Sequence, residues 1–209
     1  LSLINGTSQM CSFAILAHQA LGELLVLADV ILGTSMEAIK CSLTPSNPLV
    51  HEARPHPGQR TIAKRLNTLL ANSPIMESHA NCDRVQDPYS FRCAPQVHGA
   101  IWEAYHRLDE MIRIEINSAT DNPLIFPSPA NPGAHEVVSQ GNFHGEIVAM
   151  VCDSMTLALF ELGSISERRM DQMLDPARSE LPAFLAQNSG LESGLMIVQY
   201  SAAASLGEL

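Results

Sequence analysis

Three short stretches of this chain gather side chains able to do chemistry, and each lies next to a segment that reads as helix. The densest is Arg84-Val85-Gln86-Asp87-Pro88-Tyr89-Ser90-Phe91-Arg92-Cys93, which holds two guanidinium groups, an amide, a carboxylate and a phenol. Arg92 could grip a carboxylate with both prongs of its fork, Tyr89 could exchange a proton, and Gln86 could orient a polar group. The bland alternative is a solvated loop stitched together by its own ion pairs. A second cluster, Ile4-Asn5-Gly6-Thr7, stands just before a long helical stretch. Its polar side chains could cap that helix, or the Asn5 amide could donate to a carboxylate held at the positive helix end. In the third, Gly141-Asn142-Phe143-His144-Gly145-Glu146, His144 and Glu146 could work as a pair, although a histidine beside a helix start is more often a structural hydrogen-bonder. No H-x-x-x-H or H-E-x-x-H spacing accompanies it, so a metal role has no support.

The elements that must position these clusters read as helices. Gln9 to Lys40 is free of proline and dominated by Ala, Leu, Glu and Met, which favours one long helix. Pro45, Pro48, Pro55 and Pro57 then forbid a continuous helix and mark a surface connection, with a shorter helix expected from Gln59 to Ala71. Asn72 to Pro95 is interrupted by Pro74, Pro88 and Pro95, and reads as irregular loop with no surviving helix. Apolar residues at Val97, Ile101, Ala104, Leu108, Met111 and Ile112 return at helical spacing up to about Asn117. Asp121-Asn122-Pro123 is turn chemistry, and a Pro- and Gly-rich loop follows from Phe126 to Gly133. Long helices are expected from Glu146 to Met173 and from about Ser193 onward. Nothing reads as a β-sheet, so the fold class is all-α, a bundle of long helices.

Composition narrows the function classes. The 209 residues are 46% hydrophobic, with a mean hydropathy of +0.07, which fits a packed domain and argues against disorder. Twelve basic against twenty-two acidic residues give a net charge of −10, and no basic cluster could track a phosphate backbone, so no nucleic-acid partner is expected. The five cysteines show no C-x-x-C pair, which suggests neither zinc nor a disulfide framework and fits a reducing cytoplasm. Cys11 to Leu32 is apolar enough to raise the question of a membrane span. His18, Gln19, Glu23 and Asp29 interrupt it and favour a helix buried in a protein assembly. Such helices need several partners, so oligomerisation is expected. Both ends of the chain lack the polar character of a natural terminus and look cut from a longer polypeptide.

Taken together and in order, Ile4-Asn5-Gly6-Thr7, Arg54-Pro55-His56-Pro57-Gly58-Gln59, Gln86-Asp87-Pro88-Tyr89-Ser90-Phe91-Arg92-Cys93, Asn117-Ser118-Ala119-Thr120-Asp121-Asn122-Pro123-Leu124, Gly141-Asn142-Phe143-His144-Gly145-Glu146 and Ser193-Gly194-Leu195-Met196-Ile197 resemble the hallmark segments of the aromatic amino acid ammonia-lyases. The matches extend over nearly the whole chain. Within the family, N-F-H-G-E is similar to the histidine-specific branch, whereas plant phenylalanine enzymes usually carry glutamine in place of His144. Gln140, Glu192 and Ile147 depart from residues common in the family.

The resemblance implies an all-α tetramer whose active sites draw on several subunits, acting on a small amino acid by eliminating ammonia, here from L-histidine to give urocanate. It implies a 4-methylidene-imidazol-5-one electrophile made from an Ala-Ser-Gly and no metal. No Ala-Ser-Gly occurs in this sequence, and in the family it precedes the I-N-G-T segment. The 209 residues are therefore expected to be a central helical portion, truncated at both ends and inactive alone. Carried over residue by residue, Asn5 lies near the electrophile and the substrate carboxylate, Arg92 binds that carboxylate, Tyr89 and Gln86 contact the reacting centre, and Phe143 packs against the prosthetic group. A phenylalanine or tyrosine lyase, an aminomutase and a non-enzymatic helical assembly protein are the alternatives.

Overall fold

The structure is a computed structural model and describes residues 2–208. A single turn, α1 (Ser2–Asn5), is followed at a bend by α2 (Ser8–Ala38), one unbroken helix as the absence of proline dictates. Its end is a Schellman closure. Lys40 sits in the left-handed region at φ 51, with Lys40 N–H bonded to the Glu37 carbonyl at 3.0 Å and Cys41 N–H to the Met36 carbonyl at 2.8 Å.

The prolines that follow start helices as often as they stop them. Pro48 opens α3 (Pro48–Ala53), where the Asn47 side chain accepts from Leu49 N–H at 3.0 Å, and Pro57 opens α4 (Pro57–Leu69). Pro74 opens α5 (Pro74–Ser78), capped by Ser73, and Pro88 stands at the N-cap of α6 (Tyr89–Arg92). The expectation that no helix survives between Asn72 and Pro95 is thus corrected. Proline at a first helical position loses no hydrogen bond, and its fixed φ is already helical. Beyond lie α7 (Ala94–Glu115), α8 (Glu146–Leu174), α9 (Pro176–Ser179) and α10 (Met196–Gly207), with 3-10 turns at Thr44–Ser46 and Ala183–Leu185.

A second correction concerns strands. β1 (Leu124–Pro127) and β2 (His135–Val138) pair antiparallel, with Leu124 opposite Val138 and Ile125 opposite Val137. The hairpin escaped the sequence reading because each strand has only four residues and none is buried on either face.

The chain divides into two compact units. The first comprises the residues up to Glu23 with Ala104–Met155. Cys11, Ala14, Leu108, Met111, Ile112, Val148 and Val151 form its apolar interior. In its polar seam the Tyr105 ring stacks on His18 at 4.5 Å between centroids, and His18 Nε2 lies 3.2 Å from the Asp109 carboxylate.

The second unit comprises Leu24–Glu103 and the residues from Thr156. Leu25, Leu32, Met36, Ile62, Leu66, Phe91, Ile101 and Leu162 form its core. Here α4 and α7 cross backbone to backbone: a Cβ on Gly58 would land on the Gly99 carbonyl, and one on Gly99 would land on Gln59 and Gly58. The Gly58 N–H donates to the Glu103 carboxylate at 2.9 Å beside the crossing. That crossing is what the R-P-H-P-G-Q segment does in the fold.

Candidate active site

In the second unit the loop leading to α6 divides its labour. Arg84 is spent on structure: its guanidinium donates to the Ile39 carbonyl at 3.1 Å and lies 3.8 Å from Asp87 and 3.7 Å from Glu180. Asp87, nearly buried, accepts from Ser42 N–H at 2.9 Å and ties the loop to the end of α2. These two residues match the stitched-loop reading. Ser90 and Phe91 turn inward and anchor α6, while Tyr89 is exposed and Arg92 half-buried on the other face.

Gln86, Tyr89 and Arg92 stand together. An Arg92 Nη1 donates to Gln86 Oε1, and the guanidinium carbon lies 5.8 Å from the Tyr89 ring centroid. The Arg92 Nε is buried and has no hydrogen-bond partner among the described residues. A guanidinium has five donors and no acceptor, so a carboxylate is the partner its chemistry favours. Gln86 and Arg92 line a cleft of about 500 Å³ together with Arg84, Asp87, His79 and Cys41. Burial, reinforced by Asp87, pushes the Cys41 thiol far above its ordinary range, so it is no thiolate nucleophile.

Beneath α6 lies a buried polar network that the sequence reading did not assemble. Asp29, fully buried in α2, accepts from His98 Nδ1 at 2.7 Å, from Trp102 Nε1 at 2.9 Å and from Arg65. Arg169 on α8 reaches His98 Nε2 at 3.2 Å, Ser166 Oγ at 2.9 Å and the Ser90 carbonyl at 3.5 Å. Burial lowers the His98 pKa and is the largest influence, with the Asp29 hydrogen bond opposing it. Burial also pulls Arg169 down to about 10, still protonated at neutral pH. The one available signal was an aspartate inside an otherwise apolar stretch.

The first unit collects three other clusters. Thr7 N–H donates to Thr120 Oγ1 at 3.3 Å, the Thr7 hydroxyl donates to Glu115, and Gly6 lies so close to Thr120 that a Cβ would meet its hydroxyl at 2.8 Å. The Thr7 hydroxyl is thereby taken away from capping, and only its carbonyl enters α2, accepting from Cys11 N–H at 2.9 Å. Asn5 is left exposed on α1. Gln140, one of the departures, accepts from Asn142 N–H through its side chain while its own N–H donates to Asn122 Oδ1 at 2.8 Å, so it braces the turn that carries Phe143. Phe143 is 43% exposed. His144 accepts from Glu146 N–H at 3.3 Å through Nδ1, a cap to the backbone and not a pair with the Glu146 carboxylate. Asn5 and Phe143 thus belong to one unit, and Gln86, Tyr89 and Arg92 to the other.

The aromatic amino acid lyase family model matches residues 1–209. The chain belongs to that family. It is 45% identical over 208 residues to the histidine ammonia-lyase of Myxococcus xanthus, covering all of this chain and 40% of that protein. To the histidine ammonia-lyase of Deinococcus radiodurans it is 48% identical over 209 residues, covering 39% of that protein. Among solved structures, histidine ammonia-lyase from Trypanosoma cruzi superimposes with a TM-score of 0.87 at 43% identity, over all of this chain and 37% of that one. Phenylalanine aminomutase from Pantoea agglomerans gives 0.88 at 31%, over all of this chain and 43% of that one. The chain spans about two fifths of the length of the curated relatives it matches. Within this family the hallmark segments divide between the two units, the I-N-G-T, N-S-A-T-D-N-P and N-F-H-G-E segments in the first and the Q-D-P-Y-S-F-R-C segment in the second.

Proposed function

We propose that the protein carrying this chain eliminates ammonia from L-histidine to give urocanate, and that these 209 residues are a central helical portion of its lyase domain. One observation carries the choice of substrate. Identity to histidine ammonia-lyases is 44–48% over the whole chain, against 31% to the Pantoea phenylalanine aminomutase and 28% to a yeast phenylalanine ammonia-lyase. Backbone shape does not choose, since the aminomutase superimposes as well as the histidine enzyme.

In this reading Arg92 holds the substrate carboxylate, with Gln86 fixing one prong of its fork and the remaining donors facing the ligand. Tyr89 carries a proton to or from the reacting centre from the exposed face of the same turn. Asn5 donates its amide to the substrate carboxylate or the electrophile, and Phe143 packs an aromatic face beside that electrophile. A 4-methylidene-imidazol-5-one, for which these 209 residues hold no Ala-Ser-Gly, would be held beside Asn5 and Phe143 and would supply an electron-poor carbon that makes the amine a better leaving group. An exposed amide and a half-exposed ring on braced turns suit such a neutral, hydrogen-bonding heterocycle. We also propose a homotetramer in a reducing cytoplasm, in which neighbouring subunits cover the apolar faces of α2 and α8 and complete each site.

The test is to incubate the full-length protein with L-histidine, L-phenylalanine and L-tyrosine separately and follow the ultraviolet absorbance of the unsaturated acids. Urocanate from histidine supports the reading. An inert response to histidine with turnover of either other amino acid overturns the substrate assignment. The 209 residues alone should yield no urocanate.

A further inference from the structure

We infer that Asp29, His98 and Arg169 form a buried positioning relay that holds α6, and with it Tyr89 and Arg92, in place for the reaction; the inference rests on the roles proposed above for those two residues. The need for such a device follows from the size of α6. A four-residue helix cannot stabilise itself, because nucleating a single turn fixes several dihedral angles for one hydrogen bond. Its last carbonyls also lack intrahelical partners. The Ser90 carbonyl is one of them, and the Arg169 Nη1 faces it at 3.5 Å.

The relay has a defined polarity. Arginine has only donors, so His98 Nε2, 3.2 Å from Arg169 Nη1, must accept. The ring proton is then on Nδ1, where it donates to Asp29 Oδ1 at 2.7 Å. Trp102 Nε1 and Arg65 both donate to Oδ2 of that carboxylate, and Ser166 Oγ takes the second prong of Arg169 at 2.9 Å. The histidine is thereby neutral, and the guanidinium, held by His98 Nε2 and Ser166 Oγ, faces the Ser90 carbonyl in the turn carrying Arg92.

Stability alone is a poor reason for such a cluster. Burying charges costs desolvation that apolar residues of the same volume avoid, so what an ion network adds is a unique arrangement. The arrangement fixed here is that of Ser90, the residue between Tyr89 and Phe91. A displacement of about 1 Å in a substrate-holding group can lower the rate about a hundredfold.

The experiment uses the intact enzyme with Arg169→Lys, Arg169→Met, His98→Gln and His98→Leu, each read by amide hydrogen exchange over residues 89–93 and by steady-state kinetics on L-histidine. Glutamine can still donate at one end and accept at the other, so His98→Gln should stay near wild type. His98→Leu and Arg169→Met should exchange at least about tenfold faster across α6 and show a KM raised about tenfold. A merely structural role would lower kcat through a smaller folded fraction and leave KM unchanged. If Arg169→Met fails to fold, Arg169→Lys and the His98 pair decide. Wild-type exchange and wild-type KM in folded Arg169→Lys and His98→Leu overturn the relay. If the wild type does not act on histidine while α6 still loosens in the variants, the relay stands and the lyase reading falls.

Discussion

A guanidinium that clamps a ligand needs one contact to aim it and further donors left for the ligand. Arg92 has an Nη1 aimed by Gln86, and both side chains line the cleft beside α6. Arg92→Lys keeps the charge and loses the fork. It should reduce kcat/KM on L-histidine by about 30-fold, roughly 2 kcal/mol of transition-state stabilisation. Unchanged kinetics would remove Arg92 from the carboxylate site. His98 gives a second test through pH. Its folded-state pKa lies below the ordinary 6.5 because it is buried, so the unfolded chain takes up the proton more readily. The stability it contributes is complete above about pH 6.5 and declines below it, by at most about 1.4 kcal/mol per pH unit. Thermal unfolding between pH 7 and 5.5 should therefore fall more steeply in the wild type than in His98→Gln. A parallel decline in both would show that another group controls the acid limb. The cluster around Arg92 was legible in sequence because its polar types lie within ten residues. Asp29 showed only as an interruption in an apolar run, since its partners lie 36 and 69 residues away.

At the level of elements, the long helices were read correctly from periodicity and the absence of proline, with ends shifted by a few residues. What went unseen were pieces too short to show a period, among them α3, α5, α6, α9 and the hairpin of β1 and β2. Tertiary contacts, not local preference, hold such pieces, as Phe91 and Ser90 hold α6. The crossing of α4 and α7 was equally invisible, because a glycine does not announce which backbone approaches it. Gly58→Ala places a methyl on the Gly99 carbonyl. It should cost at least about 2 kcal/mol, since neither backbone can yield within its helix. Urea unfolding of the variant should show a lower midpoint with an unchanged slope, and a midpoint equal to wild type would mean that the helices can move apart without penalty.

At the largest scale, the 209 residues expose large apolar side chains along their long helices. Phe13, Leu16, Leu27, Ile31, Met150, Leu157 and Ile197 are each more than half exposed. Ser8–Ala38 and Glu146–Leu174 are also long and apolar enough to cross a bilayer by length and composition. Their buried Asp29, Glu167 and Arg169, each with polar partners in the second unit, favour protein neighbours over lipid. Such faces mark contact surfaces. Light scattering at micromolar concentration should therefore find the 209-residue chain associated, and a stable monomer would show that these faces tolerate water. The expectation of a tetramer rests on resemblance alone, since periodicity shows that a helix has an apolar face and not how many neighbours cover it.

The buried carboxylate of Asp29 also constrains the time order of biosynthesis. A ribosome releases Asp29 first, Arg65 36 residues later, His98 69 residues after Asp29, and Arg169 a further 71 residues beyond His98. Until Arg65, His98 and Trp102 emerge, drying the carboxylate costs several kcal/mol, so it must stay hydrated. The nascent α2 is thus kept from premature collapse until α7 has been translated, and Arg169 joins the network later through His98. Translation arrested shortly before His98 should leave α2 open to protease, and protection at that stage would mean that the carboxylate had found shelter without its α7 partners.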